Sequence, residues 1–224
     1  SCDEITVKGN VSSQFLTAIL MAAPLLQNPL SIRVEGDLVS KPYIHITLKL
    51  LEKFGIGYQN DNWQQFTLNN IFSYQNPSEI EVEGDASSAS YFFAAAAIAG
   101  SVEVYGINSG SIQGDIQFLK VIESMGAEIT YKEHSVIVNK ADELKGLEVD
   151  CKMIPDAAMT LAVMALFCKG STKLTNIASW KVKETDRIIA MQNELVKLGA
   201  SVTSTNNSIT CLLYTSDAAD DRGC

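Results

Sequence analysis

A chain of 224 residues, 46% of them hydrophobic, has the size and composition of a globular protein of one or two domains. Its formal net charge of −9 argues against a nucleic-acid partner, which needs a basic surface, but leaves room for a small anion held by a local cluster of cations. No apolar run reaches the roughly 18 residues that a membrane-spanning helix needs, so no membrane partner is expected.

From the N-terminus, Ile5-Thr6-Val7 reads as a strand, followed by Ser12-Ser13-Gln14 and a helix over 15–26. A strand ending at Val34-Glu35-Gly36 leads to a helical run through Leu48 and Leu51 that closes at Phe54-Gly55. Asp85-Ala86-Ser87-Ser88 precedes an Ala-rich helix over 91–98, and Val102-Glu103-Val104-Tyr105-Gly106 a helix that closes at Met125-Gly126-Ala127. Period-2 segments follow at 128–131 and 135–138. Pro155-Asp156-Ala157-Ala158 opens a helix over 159–167, and a strand at Leu174-Thr175-Asn176 leads to a last helix that stops at Leu198-Gly199. The unit is strand–helix–strand–helix–strand–strand, written about three times. Each unit's first helix opens with hydroxyl or carboxylate residues able to cap it. The Ala-rich helices are expected to be buried on all sides.

The stretch Trp180-Lys181-Val182-Lys183-Glu184-Thr185-Asp186-Arg187 carries the most chemistry. Read as the first turns of the last helix, it sets Lys183 and Arg187 four apart on one face with Glu184 beside them. Cations oppose the helix dipole there unless an anion docks among the free N–H groups. An arbitrary K-x-x-x-R is more often a solvated charged face. The surplus of Ser, Gln and Asp at the other helix starts favours an anion site instead.

Five cysteines, odd in number and without C-x-x-C spacing, suggest unpaired thiols in a reducing compartment. His45 and His134 have no metal-ligand spacing, and no Walker or dinucleotide glycine motif occurs, so neither a metal nor an organic cofactor is expected.

The segments 9–18 (GNVSSQFLTA), 36–43 (GDLVSKPY), 83–92 (EGDASSASYF), 154–160 (IPDAAMT) and 181–187 (KVKETDR) closely resemble the 5-enolpyruvylshikimate-3-phosphate synthases, in order, over residues 3–211. The resemblance implies an α/β (α+β) protein built of βαβαββ units. They form the inside-out α/β barrels of enolpyruvyl transferases, with parts of two domains present here: 1–82 and 83–211. It implies transfer of the enolpyruvyl group of phosphoenolpyruvate to the 5-hydroxyl of shikimate 3-phosphate, releasing phosphate, on the chorismate route to aromatic amino acids. A cytoplasmic (in plants, plastid) monomer without a cofactor goes with it.

Carried over residue by residue, the resemblance gives Ser12, Ser13, Gln14, Ser40 and Tyr43 to shikimate 3-phosphate, and Gln14 to phosphoenolpyruvate as well. Asp156 would contact the ring hydroxyls and take the proton of the attacking one. Ser179 stands where some members have an Asn on shikimate 3-phosphate. Lys183 would contact that substrate and belong with Asp156 and Glu184 to the catalytic set, Glu184 would move a proton, and Arg187 would clamp the phosphoenolpyruvate carboxylate.

The family has further essential cations and a Gly-rich loop outside this sequence, so an incomplete, weakly active or inactive piece is expected. Residues 212–224 fit neither the family nor the repeat and read as a foreign or disordered tail. The alternatives are a non-catalytic ligand-binding fragment and a UDP-N-acetylglucosamine enolpyruvyl transferase. The latter is disfavoured by S-K-P-Y, K-V-K-E-T-D-R and the absence of its reactive-Cys loop.

Overall fold

A computed structural model describes residues 3–68 and 74–213. The chain forms two compact units, Ser1–Gly84 with Gly110–Gly114, and Asp85–Ser109 with Asp115–Cys224, each with its own apolar core.

The first unit runs β1 (Asp3–Lys8), α1 (Ser13–Ala22), β2 (Leu30–Glu35), α2 (Lys41–Lys53), β3 (Tyr58–Asp61) and β4 (Gln65–Leu68). The four strands form one sheet in the order β1-β2-β4-β3, with β1 and β2 parallel and the other pairs antiparallel. Strand β4 alternates Phe66 and Leu68 inward, and β2 sends Leu30, Ile32 and Val34 into the same core. Helix α2 completes it with Ile44, Leu48 and Leu51, spaced i, i+4, i+7 on one face. Burying one such side chain stabilises the unit by about 1.5–3 kcal/mol.

The second unit begins with α3 (Ala86–Ala99), β5 (Ser101–Tyr105), α4 (Phe118–Met125), β6 (Glu128–Tyr131) and β7 (Ser135–Asn139), its strands ordered β5-β7-β6. A short β8 (Leu144–Lys145) precedes β9 (Glu148–Asp150), α5 (Ala157–Met164), β10 (Cys168–Lys169), β11 (Thr172–Thr175), α6 (Arg187–Lys197), β12 (Ser201–Ser204) and β13 (Ser208–Leu212). Strands β8 and β10 pair with each other, and the main sheet runs β12-β13-β11-β9, with β9 and β11 parallel. Read from its other edge, this is the order and sense of the first unit's sheet.

Two repeats are therefore complete. The middle one begins directly at α3, with no strand among the described residues 74–84. The four sheets remain separate, and none of them closes into a barrel among the described residues. The glycine stops lie where the sequence puts them: Gly55, Gly126 and Gly199 have φ of 76°, 120° and 88°, a region that side chains with a Cβ avoid.

Several boundaries differ from expectation. The helix over 15–26 starts two residues early, and Pro24, lacking an N–H, turns its end into a 3-10 segment, Ala23–Leu25. The 159–167 run is α5 from Ala157 and then a 3-10 turn, Ala165–Phe167. The Ala-rich helices are not buried all round. Helix α3 buries Phe93, Ala96 and Ala97 but leaves Tyr91 and Phe92 exposed, and α1 exposes Phe15 and Met21, because each packs against its own core on one side only. At the C-terminus Leu212 still pairs with Ser201 and Leu213 packs on the core, so the segment read as a tail is ordered through 213. Residues 214–224 lie outside the described residues.

Candidate functional site

In the first unit, parallel pairing of β1 and β2 sends both strands toward the same sheet edge, where α1 and α2 begin. The two loops are tied together: the Gly9 N–H donates to Glu35 O at 2.9 Å, and the Val39 N–H to Gly9 O at 2.9 Å. This close approach needs glycine, since a Cβ at Gly9 would stand 2.6 Å from Val34 Cγ1 and 3.0 Å from Asp37 O.

Ser12 caps α1, its Oγ accepting from the Gln14 N–H at 3.2 Å. Ser13 is buried and Gln14 exposed. Ser40 precedes α2 in the left-handed region, φ 56° and ψ 38°, and its side chain makes no capping bond. A non-glycine residue held there costs roughly 1–3 kcal/mol, which makes the position a functional candidate. Tyr43 follows on the first turn, its N–H donating to Ser40 O at 3.1 Å. Neither helix has an acid in its first turn, so both N-termini keep their positive end uncompensated by Asp or Glu. The five residues named for this half thus gather on one edge.

The second unit repeats the arrangement with β9 and β11, whose parallel pairing brings the starts of α5 and of the Trp180–Arg187 segment to one edge. The segment does not form the continuous helix expected. Residues Ala178–Val182 make a 3-10 turn, Lys183 is extended, and α6 starts only at Arg187. The cause is Asp186: its carboxylate accepts from the N–H groups of Ile188 and Ile189 at 3.1 and 3.2 Å, so the helix is capped there. Lys183 and Arg187 therefore do not share a helix face, although both flank the same cap. Lys183 and Ser179 are half-buried.

Arg187 is the hub. Its Nη1 donates to Asp156 Oδ1 at 3.0 Å, its Nε to Glu184 Oε2 at 3.0 Å and its Nη2 to Glu184 Oε1 at 2.9 Å. Burial works against its charge, but the Glu184 and Asp156 carboxylates outweigh that and raise its pKa. Glu184, largely exposed, is held below the ordinary carboxylate range by its own backbone N–H and by Arg187. Asp156 precedes α5 but makes no side-chain cap to it. Asp156, Glu184 and Arg187 are thus in contact across 31 residues of sequence.

Two neighbours have no role assigned from the sequence. Asp115, 4% exposed, accepts the Ala157 N–H at 2.9 Å, and the wholly buried Trp180 donates its indole N–H to Pro155 O at 2.8 Å. Only the Asp of Q-G-D and the Trp before K-V-K-E were visible in the sequence, and neither carries a spacing signal. Among the described residues no three His, Cys, Asp or Glu side chains group as a metal site, and no helix is long and apolar enough to cross a membrane.

The fold places the chain in a class: it superposes on the EPSP synthase of Acinetobacter baumannii with a TM-score of 0.75 at 23% identity, covering 95% of this chain and 49% of that one. Residues 1–218 match the family model described as EPSP synthase (3-phosphoshikimate 1-carboxyvinyltransferase), and the chain belongs to that family. Among curated relatives, the 3-phosphoshikimate 1-carboxyvinyltransferase of a Marinomonas species is 55% identical over 208 residues, 92% of this chain and 49% of that protein. The Vibrio atlanticus enzyme of the same name is 53% identical over 199 residues, 88% and 46% of the two chains. The chain spans about half the length of the curated relatives it matches.

Proposed function

We propose that this chain carries part of the machinery that moves the enolpyruvyl group of phosphoenolpyruvate onto the 5-hydroxyl of shikimate 3-phosphate. The observation that carries the reading is Arg187, a half-buried guanidinium at a helix start, satisfied in this state by two carboxylates of its own chain. A guanidinium fork matches a carboxylate, and the carboxylate of phosphoenolpyruvate is the third candidate for it. Ser12, Ser13, Gln14, Ser40 and Tyr43 supply hydroxyl, amide and helix N–H donors for shikimate 3-phosphate. For Ser179 and Lys183 we propose the same ligand, on the resemblance alone.

The reaction needs a base on the attacking hydroxyl and an acid for the methylene carbon. Asp156 takes the hydroxyl proton as the oxygen bonds to C2 of phosphoenolpyruvate, and a proton from Glu184 or Lys183 turns the methylene into a methyl. Loss of one methyl proton then restores the double bond as the C2–O bond to phosphate breaks. When a substrate carboxylate takes Arg187, Glu184 is released from the guanidinium and its carboxylate is free to turn toward the substrate. The bacterial relatives and this substrate pair agree with a cytoplasmic enzyme.

The half-length span favours a second reading beside it, a ligand-binding piece without turnover. Phosphate release from phosphoenolpyruvate plus shikimate 3-phosphate, on the chain alone and with the missing family segments added, separates the two. Silence alone with activity on complementation is the expected result. Silence in both, with no binding of shikimate 3-phosphate by calorimetry, would sink the transferase reading. Arg187→Gln should weaken phosphoenolpyruvate binding in the complemented protein by about 10- to 100-fold, the loss of a charge-assisted pair.

A further inference from the structure

Three helices of the second unit start at an aspartate, and two of these use it as a cap. Asp85 accepts from the N–H groups of Ser87 and Ser88, and Asp186 from those of Ile188 and Ile189. The Asp156 side chain makes no capping bond to its own helix; only its backbone carbonyl joins the helix, accepting from the Met159 N–H at 3.2 Å. The Ala157 N–H at the start of α5 goes instead to Asp115, a buried carboxylate 42 residues earlier in the chain. On the other side of Asp156, the preceding carbonyl, Pro155 O, is held by the indole N–H of Trp180, which is 0% exposed. The peptide groups on both sides of Asp156 are therefore fixed by buried side chains, while its own carboxylate is left to face Arg187 at 3.0 Å.

We propose that Asp115 and Trp180 are positioning residues for Asp156. Asp115 takes over the capping duty that an N-terminal aspartate usually performs, and Trp180 locks the peptide before it, so that the Asp156 carboxylate is aimed at the site rather than spent on the helix. The importance of that aim for catalysis rests on the transferase reading, but the positioning itself does not.

The test uses nitrogen-15 NMR on the whole chain, reading proton exchange at the Arg187 guanidinium, with amide spectra as the control for folding. Asp115→Ala and Trp180→Phe should each speed that exchange at least about tenfold, the equivalent of losing roughly one hydrogen bond. Asp115→Asn keeps an acceptor oxygen and should stay within about threefold of the parent. If Asp115→Ala shifts the Ala157 amide yet leaves Arg187 exchange unchanged, the proposal is overturned. Should that variant lose its fold, Trp180→Phe decides, and unchanged Arg187 exchange there overturns the proposal equally. A parallel titration with shikimate 3-phosphate keeps the two readings apart: absence of binding by the parent chain counts against the transferase alone, and the exchange data still judge the positioning.

Discussion

Ser40 is the residue at which stability and the proposed function pull in opposite directions. Its left-handed backbone carries a conformational cost that glycine would not pay. Ser40→Gly should raise unfolding free energy by about 1 kcal/mol in urea titration, while removing the hydroxyl and, on the proposed transferase reading, weakening shikimate 3-phosphate binding. Glu184 gives a pH handle. Its folded value lies below the ordinary 4.5, so its pairing with Arg187 is complete above that value and is lost as the pH falls through the lowered one. Protection of the Arg187 guanidinium protons, relative to free arginine at the same pH, should accordingly hold from neutral pH down to about 4.5 and fall only in more acid solution. A loss of the pairing near neutrality would contradict the geometry.

At the scale of elements, capping decides where helices begin, and it decided where sequence reading succeeded. The Ser12 and Asp85 junctions were legible because one side chain bonds only to groups two or three residues further on. The Trp180–Arg187 stretch was misjudged for the same reason: Asp186 also caps, and a cap inside an apparent helical run cuts it in two. Neither the Asp156–Arg187 contact nor the Asp115 bond to α5 could be read from spacing, since each joins residues brought near only by the parallel pairing of β9 and β11 or by the packing of distant elements. The repeat itself was plain from strand ends and glycine stops. The missing first strand of the middle unit was not, because 79–84 has the alternation of a strand but pairs with none among the described residues. Asp85 allows a quantitative check. Asp85→Ala should cost about 0.5–2 kcal/mol at neutral pH. The cap lowers the Asp85 carboxyl below 3.8, chiefly through the Ser88 hydroxyl, so its benefit is present above that value and lost as pH falls through the lowered one. Melting temperatures of the parent and the variant should therefore converge in acid. Curves that stay parallel would deny Asp85 its role as a charged cap.

The whole molecule carries two separate cores with one tryptophan in each, Trp63 beside Phe66 in the first and Trp180 in the second. With independent cores, Trp63→Phe and Trp180→Phe chains should give different fluorescence midpoints in urea, whereas coincident ones would mean a single cooperative unit. The thiols can be read on the same scale. Cys151, Cys168 and Cys211 are buried and unpaired, and burial pushes the first two up to about 12 and about 11. Alkylation mapped by mass spectrometry should leave all three unlabelled in the native chain at pH 8 and label them in urea.

The pairing of Arg187 with Asp156 and Glu184 also sets how fast an anion can arrive. A bare guanidinium would draw anions from a distance, but this one is cancelled by two acids in a chain whose net charge is already −9. Association of an anion with this guanidinium should then lack electrostatic steering: its rate constant should hold steady or rise with added salt, where a steered encounter would slow. Selectivity among anions would come after collision, from which of them can displace Glu184 and Asp156 from the fork.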